Sequence, residues 1–100
     1  MAISVIVNKD GQIVVYEGTT YSRTIGFEFI AASTDGETIA GLKHDGQVIL
    51  HRADGSVKAS LLLNPFVSVS VSAGQIMART SSGTNLVFDC NGNFKGQLPA

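Results

Sequence analysis

Apolar residues fall along this chain in short runs, and a glycine interrupts the chain after almost every run. Residues 3–9 (ISVIVNK) and 38–44 (TIAGLKH) alternate and then meet an Asp-Gly pair. The breaks hold Asp10-Gly11, Asp35-Gly36, Asp45-Gly46, Asp54-Gly55, Ala73-Gly74, Ser82-Gly83 and Asn91-Gly92. Such pairs suit two-residue hairpin turns, which need positive φ. The pattern predicts about eleven short strands in one meander, near residues 2–8, 12–17, 21–25, 27–34, 37–43, 47–52, 56–62, 66–72, 75–80, 84–89 and 93–98. No stretch keeps a helical period.

Three of these strands are apolar on consecutive positions: Ile13-Val14-Val15, Val48-Ile49-Leu50 and Leu86-Val87-Phe88. Side chains alternate between the faces of a strand, so such runs predict burial on both faces. The strands near 27–34 and 66–72 carry small residues instead, as Ala31-Ala32-Ser33 and Val67-Ser68-Val69-Ser70. Small side chains suit a crowded strand near a central axis.

The runs also repeat. KDGQIVVY at Lys9 returns as HDGQVILH at His44 and as SGTNLVF at Ser82, at a spacing of about 35 to 37 residues. Aligning the phrases divides the single domain into units of about 2–25, 27–62 and 66–98. The first unit begins at the second strand of the pattern and has no counterpart of the strands near 27–34 and 66–72.

With TDGETIAGL, HDGQVIL and ADGSVKASL in order, the middle unit resembles one blade of a β-propeller. It is similar to the NHL and related six-bladed types. The last unit resembles a second blade, and the first resembles the final three strands of another. The resemblance implies an all-β fold of four-stranded, propeller-blade-like units. The alternative architecture for the same hairpins is a β-sandwich or β-prism.

Propellers close with about four to eight blades, and this chain supplies fewer than three. Units of a repeat bury their faces on neighbours, and terminal units need polar caps. The end strands read as apolar as the middle ones, so closure by homo-oligomerisation is expected. Two copies would make a six-bladed ring with two blades one strand short. The expected contacts run between the strand near 2–7 of one copy and the unit 66–98 of the next. Charged residues make up only 15% of the chain, against about a quarter in ordinary domains, which leaves few charges to hold edges apart.

Net charge is −1, with lysines and arginines scattered singly, so no nucleic-acid partner is expected. The N-terminal MAISVIVNKDG has no signal-peptide pattern, and no membrane partner is expected. The expected location is cytoplasmic or in a virion. Cys90 stands alone, which excludes an intrachain disulfide and argues for a small buried residue.

Candidate chemistry is sparse. No nucleophile elbow, phosphate loop, calcium loop or paired-histidine motif occurs, and no cofactor or metal is expected. His51 matches Tyr16 and Phe88 of the other units and reads as a packed ring. Aromatic platforms for carbohydrate are few, most of the rings occupying core-like positions. The best candidate ligand residues are Lys9 and Asp10 with Lys43, His44 and Asp45, because they occupy equivalent turns on one rim. The resemblance to propellers implies that ligands gather on such a rim, although a fold does not fix a function. The reading is a non-enzymatic structural or interaction module that self-assembles, a component of a phage virion being one setting. Its partners are copies of itself and another protein of a larger assembly. The alternative is a small lectin-like ring.

Overall fold

The computed structural model describes residues 3–61 and 65–98. The outer limits of two predicted units, Ala2 and Leu62, lie outside these residues. Among the described residues eleven strands form three antiparallel sheets. The first unit holds β1 (Ile3–Val7), β2 (Ile13–Glu17) and β3 (Thr20–Ile25). The middle unit holds β4 (Phe29–Thr34), β5 (Thr38–Lys43), β6 (Val48–Arg52) and β7 (Val57–Ser60). The last holds β8 (Phe66–Ser72), β9 (Gln75–Thr80), β10 (Asn85–Asp89) and β11 (Phe94–Leu98). Within each sheet, strands adjacent in sequence pair in order. The fold is all-β, made of propeller-type blades stacked face to face and not closed into a ring.

The turns share one construction, and it differs from the two-residue kind. In five of them a residue at the strand end exchanges backbone bonds across a loop that ends in glycine. Asn8 N donates to Gln12 O at 2.9 Å, and Gly11 N donates back to Asn8 O at 3.1 Å. Lys43 with Gly46, Arg52 with Gly55, Thr80 with Gly83, and Asp89 with Gly92 repeat this pattern. Only the glycine has positive φ, as at Gly46 with 91°. These are three-residue loops with a glycine bulge. Among the seven predicted pairs Ala73-Gly74 alone is a two-residue turn, with both φ positive at 49° and 79° and Ser72 paired directly to Gln75; outside them, Gly18-Thr19 is a second, with Glu17 paired directly to Thr20. The aspartates act from their side chains instead: Asp45 Oδ1 accepts from Gln47 N, and Asp54 Oδ1 from Ser56 N.

A second repeated feature was not visible in the pattern. The pairing of the third and fourth strand positions slips by one residue at Tyr16, His51 and Phe88, the same place in each unit. The bulge strengthens the local twist of the outermost strand.

The core divides into two joints. Between the first and middle units lie Ile3, Ile13, Val15, Ile25, Phe29 and Ile39. Between the middle and last units lie Ala40, Leu42, Val48, Leu50, Leu61, Phe66, Val71, Ile76, Ala78, Leu86 and Phe88. The middle sheet is therefore covered on both sides. Val48 and Leu50 face the last unit, and His51 turns to the first, edge-on to Phe29 with ring centroids 5.9 Å apart. Double burial of the three-residue run is incomplete, since Ile49 is only partly buried. Val14, its counterpart in the first unit, is also partly buried, because no sheet stands in front of that unit; Leu86 is buried.

Backbone bonds tie the joints at the rim. Phe29 N donates to Gly11 O at 2.8 Å, and Phe66 N to Gly46 O at 2.7 Å. A side chain on Gly46 would place its Cβ 2.4 Å from Pro65 Cβ, so this close approach requires glycine as well as its φ. β1 packs on β4 as β5 packs on β8.

Two outcomes follow from this packing. Leu50→Ala, at a fully buried site between two sheets, should cost about 2–5 kcal/mol in denaturant melts, and Ile49→Ala clearly less. Equal losses would contradict the assignment of their faces. His51 is 3% exposed, its Nδ1 lies 3.3 Å from Gly55 O, and its Nε2 has no partner among the described residues. Burial holds its pKa below the usual 6.5, the Gly55 carbonyl opposing and Lys43 reinforcing the shift. Its contribution to stability is full above 6.5 and is lost as pH falls from there toward the lower folded value. Urea midpoints at about pH 7.5 and 5.5 should show this decline, and His51→Phe should flatten it.

Candidate functional site

The five residues singled out by equivalence come together. Lys9 and Asp10 in the β1–β2 turn, and Lys43, His44 and Asp45 at the β5–β6 turn, line one cavity of about 510 Å³ on the rim between the first two units. The segment entering β4 completes it with Glu28, Phe29 and Ile30. Two bonds brace that segment. Phe29 N donates to Gly11 O on one side, and His44 N donates to Glu28 O at 2.9 Å on the other. Glu28 has φ of 65°, a left-handed conformation that non-glycine residues seldom adopt. Its side chain is thereby carried onto the rim.

The cavity is charged around an aromatic floor. Phe29 is buried, and Lys43 Nζ stands 5.6 Å from its ring centroid. Ile30 is 55% exposed at the cavity edge. Two ammonium groups, three carboxylates and one imidazole surround the opening, an arrangement that suits a ligand bearing both charges better than a simple ion. Asp45 is engaged by its own turn, whereas in the first unit Asn8 does that work: its Oδ1 accepts from Asp10 N and Gln12 N. The Asp10 carboxylate is left to the cavity.

Sequence reasoning missed Glu28, Phe29 and Ile30. The signal lay in the repeat, since Phe29 and Phe66 open equivalent strands. At the second joint His44 and Asp45 take the places of Lys9 and Asp10, but Pro65, Phe66, Val67, Thr80, Ser81 and Ser82 stand at the other positions and carry no charge. The candidate site is thus a property of one joint, not of every joint. Nor are the aromatic residues mostly in the core: Tyr21, Phe27 and Phe94 are exposed, and Phe27 lies ahead of β4, not within it.

A second cleft, of about 600 Å³, opens on the opposite rim between the middle and last units, lined by Asp35, Glu37, Thr38, Arg52, Lys58 and Cys90 among others. Cys90 is partly buried in its wall. Asp35 is structural there. Its Oδ1 accepts from Glu37 N and Thr38 N at 3.0 Å each, and its Oδ2 accepts from Gly74 N of the next unit at 2.8 Å. Partial burial pushes its carboxyl up, but the amides of Thr38, Glu37 and Gly74 outweigh this and hold it below the usual value. The contribution to stability is present above the usual carboxylate pKa and is lost as pH falls through the lower folded value. Asp35→Ala should cost about 1.5–3 kcal/mol in urea melts at neutral pH. A loss no larger than that of an exposed turn aspartate would show that the bridge to Gly74 carries nothing.

No protein-family model matches the chain, and no curated protein matches it. Among solved structures, BamB from Moraxella catarrhalis superposes with a TM-score of 0.71 at 17% identity, over 100% of this chain and 39% of that one. HIRA, residues 644–1017, superposes with a TM-score of 0.69 at 12% identity, over 93% of this chain and 32% of that one. The chain thus spans roughly a third of the length of these structures. Identities this low convey fold alone. Both neighbours are propeller-like, and this chain is built of the same blade-type repeats.

Proposed function

We propose that the chain is a non-enzymatic interaction module that assembles with copies of itself through the two end faces of its stack. The observation that carries this reading is the half-made state of those faces. Each internal joint is sealed by a turn glycine packed against the next unit. At the ends the corresponding turns meet little: Gly83, the counterpart of Gly11 and Gly46, has only the end of Arg79 at 3.6 Å, and Gly18, in the shorter β2–β3 turn, has nothing within 4 Å. No backbone bond reaches the Gly83 carbonyl among the described residues, although Gly11 and Gly46 each accept one from the neighbouring unit.

The end faces are less apolar than the sequence suggested. Alignment of the units puts Met77, Arg79, Asn85 and Val87 on the back of the last unit, where the middle unit has Ala40, Leu42, Val48 and Leu50. The front of the first unit carries Ser4, Ile6, Val14 and Tyr16, where the middle unit has Ile39, Gly41, Ile49 and His51. Arg79 with Asn85, and Ser4 with Tyr16, make a partial polar dressing. Ile6 and Met77 remain exposed at 54% and 39%. A mixture of apolar centre and polar groups fits an association surface better than a permanent core.

Light scattering tests the reading. The expected mass is a multiple of 10.5 kDa at micromolar concentration. Ile6→Glu or Val87→Glu should reduce it to a single copy while circular dichroism stays unchanged. Val5 is not the residue to charge, because it turns into the internal joint and its replacement should unfold the first unit. A monomer of unchanged mass for the native chain would sink the proposal. The charged cavity around Lys9, Asp10, Lys43, His44 and Asp45 favours a second reading, a small lectin-like ring that binds a polar ligand; glycan-array binding lost on replacing Asp10 would support it.

A further inference from the structure

From the unused edge of β1, we infer a strand-addition site that takes an extended segment of a partner protein, opened by an aromatic residue and followed by small residues. β5 and β9 each pair on both edges, with β4 or β8 on the inner side. β1 occupies the equivalent position and, among the described residues, pairs only with β2. Its inner edge is a row of backbone donors and acceptors at a place where both other units hold a strand. Exposed edges of this kind accept a further strand, the main chain giving affinity and alternate side chains giving selectivity.

The repeat defines what fits. β4 pairs with β5 through Phe29 opposite Lys43, Ala31 opposite Leu42 and Ser33 opposite Ala40. β8 pairs with β9 through Phe66 opposite Thr80, Ser68 opposite Arg79 and Ser70 opposite Met77. Both ladders slip by one residue directly after the aromatic. β4 and β8 also pack on each other, which small side chains permit. Carried onto β1, this register puts an aromatic opposite Asn8 and small residues opposite Val7 and Val5. The bond from Asn8 N to Gln12 O fixes the alternation. Asn8, Ile6 and Ser4 spend their backbone groups on β2, so Val7, Val5 and Ile3 direct theirs to the open edge. The inference rests on this edge and not on self-association.

Amide exchange read by nuclear magnetic resonance tests it, with a peptide of residues 27–34, FEFIAAST, as the probe. At saturating peptide the amides of Val5 and Val7 should exchange at least roughly tenfold more slowly, while that of Ile6, already bonded to β2, should change little. The same peptide N-methylated at the positions of Ala31 and Ser33 keeps its side chains but loses the donors that face β1, and should protect neither amide. Absence of protection at millimolar peptide would overturn the inference. Equal protection by the methylated peptide would overturn it too, since binding would then not be strand pairing. Protection of both amides without peptide, in a chain that scatters as a dimer, would also overturn it by showing that the edge is covered by a second copy. Light scattering on the same samples reports self-association separately, and a monomer that binds the peptide leaves this inference standing.

Discussion

A sheet with two apolar faces needs a neighbour on each side, and that requirement organises this molecule. The middle sheet has both neighbours, and its residues show it: Val48 and Leu50 are fully buried on one side, Ile39 on the other. The other two sheets have one neighbour each. Everything at the joints serves the same need, including the glycine that lets Pro65 approach, the carbonyls of Gly11 and Gly46 that catch the next strand, and the Asp35 bridge to Gly74. Burial supplies most of the free energy, and these polar contacts set the angle and register at which it is realised.

The strands and their order were legible because two signals agreed. Glycines marked the chain reversals, and the recurrence of the phrases at Lys9, His44 and Ser82 set the phase. Less was legible where a feature depends on three dimensions. The bulges at Tyr16, His51 and Phe88 leave no mark in hydrophobicity, because the extra residue lies in the outermost strands, whose side chains are mostly exposed or only partly buried. The run Val48-Ile49-Leu50 fulfilled only part of its promise, since composition does not say how closely each face of a sheet is approached. Asp-Gly pairs pointed to turns but not to their kind, as the aspartate accepts backbone bonds from its side chain while its own φ stays negative.

The candidate site divides in the same way. Lys9, Asp10, Lys43, His44 and Asp45 could be placed on one rim from equivalence alone. The strand entry that joins them could not, because Glu28 matches Pro65 and the two share neither charge nor conformation. The end faces were misjudged for a related reason. Whole strands looked apolar, but Arg79 and Asn85 both fall on the face that has no neighbour, a distinction visible only once the register was known.

The two joints are not alike, and the difference bears on how the molecule comes apart. The joint between the middle and last units has inner strands on both sides, with Ser33 Oγ accepting from Val71 N and Asp35 from Gly74 N. Among the described residues, the joint to the first unit has an inner strand on one side only and encloses the Nε2 of His51 without a partner. Cooperative units of a repeat fray from the weaker interface inward. The first three strands therefore form the labile lobe of the chain, able to peel away on heating or under tension while the other eight hold together as its mechanical anchor.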